Sequence, residues 1–245
     1  MKYIFYVLYS KTCGYRRLHS ELHDRNFKIS EKKVKEKMKE LNLVCEIRRK
    51  KPNKNYEKNT DESIKTELKN ILDRNFIAIK PNQKYCTDTT EIETIDDGRV
   101  NCSVIIDLFN IAPFGLEITK SCNTELSKAS VKKLNTIRNL EGCLLHSDQG
   151  VTYTSKSFCD LLTQLNITQS MSKKGCPYDN SPMENFWGTL KVEKLNRLHR
   201  KPKNIEELKE IIEEYIEFYM NIRKNSKLNY LTPLQYYDNY MQRNK

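Results

Sequence analysis

Asp88, Asp148 and Glu184 are three carboxylates in places where local structure has little need of them. Asp88 lies inside "CTDTTEI", whose threonines and isoleucine favour a strand while aspartate disfavours one. Asp148 directly follows the apolar run "GCLLHS" and precedes "QG". It therefore projects from the C-terminal end of a short strand, where layered α/β sheets place ligands and chemistry. Glu184 stands in "SPMENFWGTLKVE", beside an apolar stripe of Met183, Phe186, Trp187 and Leu190. At about 100° per residue it falls on the border of that stripe, roughly 60° from Trp187. Oxygen donors from three separate elements suit hard cations, Mg²⁺ or Mn²⁺. Two such ions about 4 Å apart can activate an attacking oxygen and stabilise a leaving one in phosphodiester displacement. Lys191, two helical turns after Glu184 and on nearly the same face, adds an ammonium that can hold a phosphate. Each residue also has an ordinary reading, since an Asp after a strand is common turn chemistry and a first-turn Glu complements the helix dipole.

A scaffold for these residues is visible in the periodicity. Three β-rich runs, about 85–94, 99–108 and 112–119, are separated by "DDG" and "NIAP", a pattern that predicts antiparallel hairpins. A helix over about 123–139, a short strand "CLLHS", a helix over about 155–165 and a strand "NITQS" follow, then the helix of Glu184. That order predicts an α/β layered arrangement. "NIEELKEIIEEYIEFYMNIR" carries Ile205, Leu208, Ile212, Tyr215, Tyr219 and Ile222 on one stripe, with Asn204 and Glu207 spaced as a capping box. Upstream, "ESIKTELKNILDRN" is predicted as a helix leading into the first strand.

Charge separates the N-terminal quarter from the rest. Residues 1 to 60 hold 17 basic and 7 acidic side chains, a net +10, while the remaining residues hold 26 and 25, a net +1. A basic arm on a nearly neutral body suits nucleic acid, although an AT-rich genome also enriches lysine and asparagine. In that arm "RRLHSELHDRN" places Leu18 and Leu22 on one helical face. "ISEKKVKEKMKELNL" follows, with Ser30 as N-cap and Val34, Met38 and Leu41 at helical spacing. The pair predicts a helix-turn-helix. His19 and His23, four apart, could suit a metal but lack further ligands and read as solvated helix residues. "RRKKPNKNYEKNT" has no apolar periodicity and reads as a basic linker able to track phosphates. Candidate DNA contacts are Arg16 and Arg17, Lys32 and Lys33, and Arg48, Arg49, Lys50 and Lys51, together with Lys191. The eight cysteines form no C-x-x-C pair, which predicts reduced thiols rather than a zinc site. "MKYIFYVLYS" is too short to span a membrane and lacks a small-residue cleavage site, so a membrane or secreted protein is not expected.

With these motifs together, the sequence resembles the OrfB-type transposases of bacterial insertion sequences, in the Asp-Asp-Glu transposase and retroviral integrase superfamily. "CGYRRLHSEL" is similar to that family's helix-turn-helix opening, "PNQKYCTDTTEI" to its first catalytic strand, and "LLHSDQGVTYTS" to the segment of its second catalytic Asp. "MSKKGCPYDNSPMENFWGTLKVE" is similar to its glutamate helix, and "FYMNIRKNSKLNYLTPLQYY" to its C-terminal end. The 35 residues between Asp148 and Glu184 match the superfamily's spacing.

The resemblance implies a small all-α helix-turn-helix domain over 1–50, a basic linker and helix over 51–79, and an RNase H-like catalytic core over 80–240, a mixed sheet with flanking helices. It implies Asp88, Asp148 and Glu184 as ligands of Mg²⁺ or Mn²⁺, two ions in all, and Lys191 as a phosphate contact. The reaction expected is cutting of transposon-end DNA and joining of the 3′-hydroxyl to target DNA. The expected partners are double-stranded DNA, further copies of the chain and an upstream OrfA product or fusion; the expected location is the bacterial cytoplasm, at the nucleoid. Two departures stand out: Tyr85 where the family has tryptophan, and "DLFNIAPFG" where it has Asp-Leu-x-Ser-Arg, so that Asp107 reads as a structural or supporting carboxylate. Two other readings stay open, a catalytically decayed DNA-binding remnant and an RNase H-like nuclease that cuts without joining.

Overall fold

The computed structural model describes residues 11–47 and 69–244. Arg48, Arg49, Lys50 and Lys51, the rest of the basic linker and residues 61–68 of the predicted helix lie outside the described residues. The chain divides into two compact units, 1–69 and 70–245.

In the first unit, helices α1 (Tyr15–Asp24) and α2 (Glu31–Glu40) form the predicted hairpin. Leu18 and Leu22 of α1 and Val34 and Met38 of α2 are buried. The turn is made by Asn26, at φ 63°, and closed by His19, whose Nε2 lies 2.9 Å from the Ile29 carbonyl. Ser30 caps α2 by accepting from the Lys33 amide at 3.3 Å. Leu41, predicted on the apolar stripe, is 53% exposed because α2 ends one residue before it.

The second unit is a five-stranded sheet in the order β3-β2-β1-β4-β5. Strands β1 (Lys84–Glu93), β2 (Arg99–Asp107) and β3 (Ala112–Thr119) form an antiparallel meander. β4 (Leu144–Ser147) lies parallel to β1, and β5 (Thr168–Met171) parallel to β4. Helix α3 (Thr124–Ile137) connects β3 to β4. The one-turn α4 (Val151–Thr154) and α5 (Lys156–Gln164) connect β4 to β5. Helices α6 (Ser181–Glu193), α7 (Ile205–Asn221) and α8 (Pro233–Arg243) complete the unit.

Strand side chains alternate between faces, and both faces are buried over Tyr85–Thr87 of β1 and Cys102–Asp107 of β2. Cys86, Val104 and Ile106 pack with Met183, Phe186, Trp187 and Leu190 of α6 and with Leu208, Ile212, Tyr215 and Tyr219 of α7 in one core. α3 covers β2 and β3, closely enough that a Cβ on Gly115, at φ +63°, would stand 2.7 Å from the Ser130 carbonyl. Asp107 ends β2 as a structural carboxylate, accepting from the amides of Asn82 and Phe109 at 3.0 and 2.9 Å.

Three further sequence expectations give way. Residues 70–75 are not helical, with bends and turns over 71–74, and belong to the second unit: Leu72 joins its core, and its amide donates to Ser170 Oγ at 3.0 Å. Ile222 is 44% exposed, since α7 ends at Asn221. Asn204 caps α7 as expected, but the Glu207 carboxylate turns to Arg200 and the Lys203 amide, so the box is half formed. The reciprocal box occurs instead at α8, between Thr232 and Gln235.

Candidate active site

Asp88 points from the middle of β1 toward the face that α6 covers, because it alternates in phase with Cys86 and Ile92, which pack against that helix. Asp148 follows the last residue of β4 and is exposed. Its Oδ1 accepts from the Gly150 amide at 2.9 Å, an Asx turn that leaves the second oxygen unengaged by that bond. Glu184 lies in the first turn of α6, exposed beside the buried stripe, as its position on the helical wheel requires.

Electrostatics ties the three together. Burial pushes the Asp88 carboxyl up to about 7, the charges of Asp148 and Glu184 push in the same direction, and the Thr89 amide and Lys191 oppose them. Glu184 is also raised, by burial. The ammonium of Lys191 donates to Thr90 Oγ1 at 2.7 Å; Thr90 lies two residues beyond Asp88 on the same strand face. Asp88, Asp148, Glu184 and Lys191 thus share one electrostatic neighbourhood.

Hard oxygen donors beside a half-buried carboxyl fit a divalent cation, which would favour the ionised form of Asp88. Among the described residues no group of three or more His, Cys, Asp or Glu side chains is placed to hold a metal ion.

The remaining predicted contacts belong to the first unit. Arg16 is exposed, its guanidinium 5.0 Å from the Tyr15 ring centre and 3.9 Å from Glu31. Arg17 is half-buried, and Lys32 and Lys33 are exposed on the first turn of α2.

Several supporting residues escaped the sequence reading. Tyr153 of α4 is buried with its hydroxyl 3.1 Å from Thr89 Oγ1, which ties the loop after Asp148 to the strand of Asp88. His146 on β4 is buried between Ser170 and Ser172, at 2.9 and 3.1 Å. At the far end of α6, Glu193 takes both Nε and Nη2 of Arg223, at 2.7 and 2.8 Å, and the Tyr215 hydroxyl at 3.0 Å. A Glu near a helix end and a Tyr after a turn have many surface roles, so neither carried a signal by type or spacing.

Comparison with known proteins bears on this arrangement. A family model described as integrase core domain matches residues 78–177, a second of the same description matches 165–233, and an HTH-like domain model matches 6–51. The InsK protein of insertion sequence element IS150 from Escherichia coli K12, named as a transposase, is 37% identical over 229 residues, covering 91% of this chain and 76% of that protein. The transposase of insertion sequence element IS904 from Lactococcus lactis is 30% identical over 222 residues, covering 90% and 85%. The chain belongs to the insertion-sequence transposases. The transposase accordingly has an integrase core preceded by a helix-turn-helix unit, and its family's activity is polynucleotidyl transfer. Its core fold is that of the HTLV-2 integrase catalytic core domain, solved in complex with magnesium, with a TM-score of 0.50 at 18% identity, over 65% of this chain and 99% of that one. No helix among the described residues is long and apolar enough to cross a membrane.

Proposed function

We propose that this transposase cuts DNA at the ends of its element and joins the freed 3′-hydroxyl to target DNA, with Asp88, Asp148 and Glu184 holding one or two Mg²⁺ or Mn²⁺ ions. The observation that carries the reading is geometric: Asp88 lies on the strand face covered by the helix that carries Glu184 in its first turn, and Lys191 of that helix donates to Thr90, two residues beyond Asp88, at 2.7 Å. When bound, such ions supply Lewis-acid stabilisation of the attacking and leaving oxygens. Asp88, rooted in the central strand, fixes the floor of the site, and Asp148 holds one edge, oriented by the Gly150 amide. Glu184 closes over them from the first turn of α6. Lys191 leaves Thr90 to take a phosphate oxygen of the bound strand. The helix-turn-helix unit, with Arg16, Arg17, Lys32 and Lys33, and the linker residues Arg48, Arg49, Lys50 and Lys51 bind the duplex, chiefly through phosphates. Because two element ends must meet, the working form is a homo-oligomer, with an upstream OrfA product as a further partner.

The test is strand transfer in vitro with a labelled duplex carrying the element's terminal repeat, a target plasmid and Mg²⁺ or Mn²⁺, with and without the upstream product. Asp88→Asn, Asp148→Asn and Glu184→Gln are each expected to abolish cleavage and leave DNA binding nearly unchanged. Cutting without joined product would make the chain a nuclease. Binding without cutting under every condition would make it a decayed remnant.

A further inference from the structure

Asn180 is the N-cap residue of α6, yet its side chain makes no cap hydrogen bond. It is the last residue of a 3-10 turn, Pro177–Asn180, that runs directly into α6, with φ −118° and ψ 31° rather than the extended backbone of a capping residue, so its side chain turns to a tertiary contact. The amide instead donates to the Thr87 carbonyl at 3.1 Å, on the peptide that leads into Asp88. This contact falls where β4 leaves β1, since their pairing ends at Cys86 and His146. Asn180 is only 6% exposed, and its Oδ1 has no partner, so a buried polar atom is left unmatched to make the contact. The preceding residue fixes the turn. Asp179, 1% exposed, accepts from Arg74 Nε at 2.6 Å, from the Lys173 amide at 2.9 Å and from Asn70 Nδ2 at 3.0 Å. The start of α6 is thereby held from the loop before it, from the segment before β1, and from β1 itself.

We propose that Asn180, anchored through Asp179, is a positioning residue that keeps the Glu184 helix in register with the Asp88 strand, so that both carboxylates can serve one metal site. The proposal rests on the assignment of Asp88 and Glu184 to that site. Glu184 stands one helical turn beyond Asn180, so a shift at the cap passes directly to its carboxylate.

Asn180→Ser keeps a small polar residue at the end of the turn but is too short to bridge to Thr87. Asn180→Asp keeps the size and removes the donor. Each variant is compared with the unaltered full chain in Mn²⁺ calorimetry without DNA, thermal unfolding, DNA binding and cleavage kinetics. Expected for Asn180→Ser is a thermal midpoint and DNA affinity close to those of the unaltered chain, Mn²⁺ affinity lower by about tenfold, and cleavage kcat lower by about a hundredfold at constant KM. Unchanged Mn²⁺ affinity and kcat in both variants, with the unaltered chain active, would overturn this proposal and leave the transposase reading standing. Failure of both variants to fold would assign Asn180 to stability alone and also overturn it. Absence of Mn²⁺ binding by the unaltered chain would remove the metal site and the proposal together.

Discussion

Asp88 lies in the middle of a strand whose neighbours are threonines, and its carboxyl is held near a pKa of about 7 by burial and by two other carboxylates. The unfolded chain ionises this group near the ordinary carboxylate value, while the folded, metal-free chain keeps its proton until about 7. The stability that Asp88 contributes is therefore fully present below about pH 4 and is lost as pH rises through about 7. The shift corresponds to up to about 4 kcal/mol, and roughly half that after allowing for water at a half-buried site. Asp88→Asn should accordingly stabilise the metal-free protein by on the order of 2 kcal/mol at pH 8, with little effect at pH 4, while abolishing cleavage. Urea melts at the two pH values check this. Mn²⁺ affinity should rise with pH and level off above about 7, with proton release on binding near pH 6, read by calorimetry in two buffers of different ionisation enthalpy. A neighbouring glycine offers a second test. A Cβ at Gly150 would stand 2.9 Å from Asp148 Oδ1, a short side chain that can turn aside. Gly150→Ala should slow cleavage by roughly ten- to a hundredfold with the melting temperature nearly unchanged. Asp88 was legible as a candidate because aspartate conflicts with its strand, and Asp148 and Glu184 through their positions at a strand end and beside an apolar helical stripe, although each also has an ordinary local reading. Asn180 was not, because an asparagine before a helix reads as a cap whether or not it caps.

The helix of Glu184 is held at both ends, and its far end carries an ion pair with almost no water around it. Arg223 and Glu193 have side chains 6% and 3% exposed. Removing one partner would leave the other charge buried and unmatched, so Arg223→Ala should cost about 3–5 kcal/mol in a denaturant melt. Exchanging both for apolar residues should recover much of that loss, and a fully additive double mutant would show that the pair is not coupled. Among the elements, β1 to β3 were readable within a residue or two, because β-rich runs are bounded by the "DDG" and "NIAP" turns. The errors have local causes. Residues 70–75 read as helical through the spacing of a few apolar residues, whereas Leu72 is drawn into the core and its amide is taken by Ser170. Leu41 and Ile222 continue the spacing of their helices but fall just past the last turn. Periodicity reports a face, and the residue at which that face ends depends on capping and tertiary contacts.

At the scale of the whole molecule, basic charge and the candidate carboxylates are divided. The net +10 of residues 1 to 60 accompanies the helix-turn-helix unit, and the carboxylates belong to the nearly neutral unit that follows. That division was visible in composition, and the layered α/β core in the order of elements. Lys32→Gln with Lys33→Gln should weaken duplex binding and flatten the slope of log affinity against log salt by about 2, near 0.9 for each phosphate that is no longer neutralised. Turnover at saturating DNA should be unchanged, since those side chains are remote in sequence from the carboxylate strand and helix. An equal fall in turnover would mean that the two units do not divide the work. The most direct test of the central claim is anomalous scattering from crystals of the transposase grown with Mn²⁺. The prediction is a peak about 2.1 Å from carboxylate oxygens of both Asp88 and Asp148, with Glu184 turned toward it. Density elsewhere, or none at these carboxylates under saturating Mn²⁺, would contradict the account.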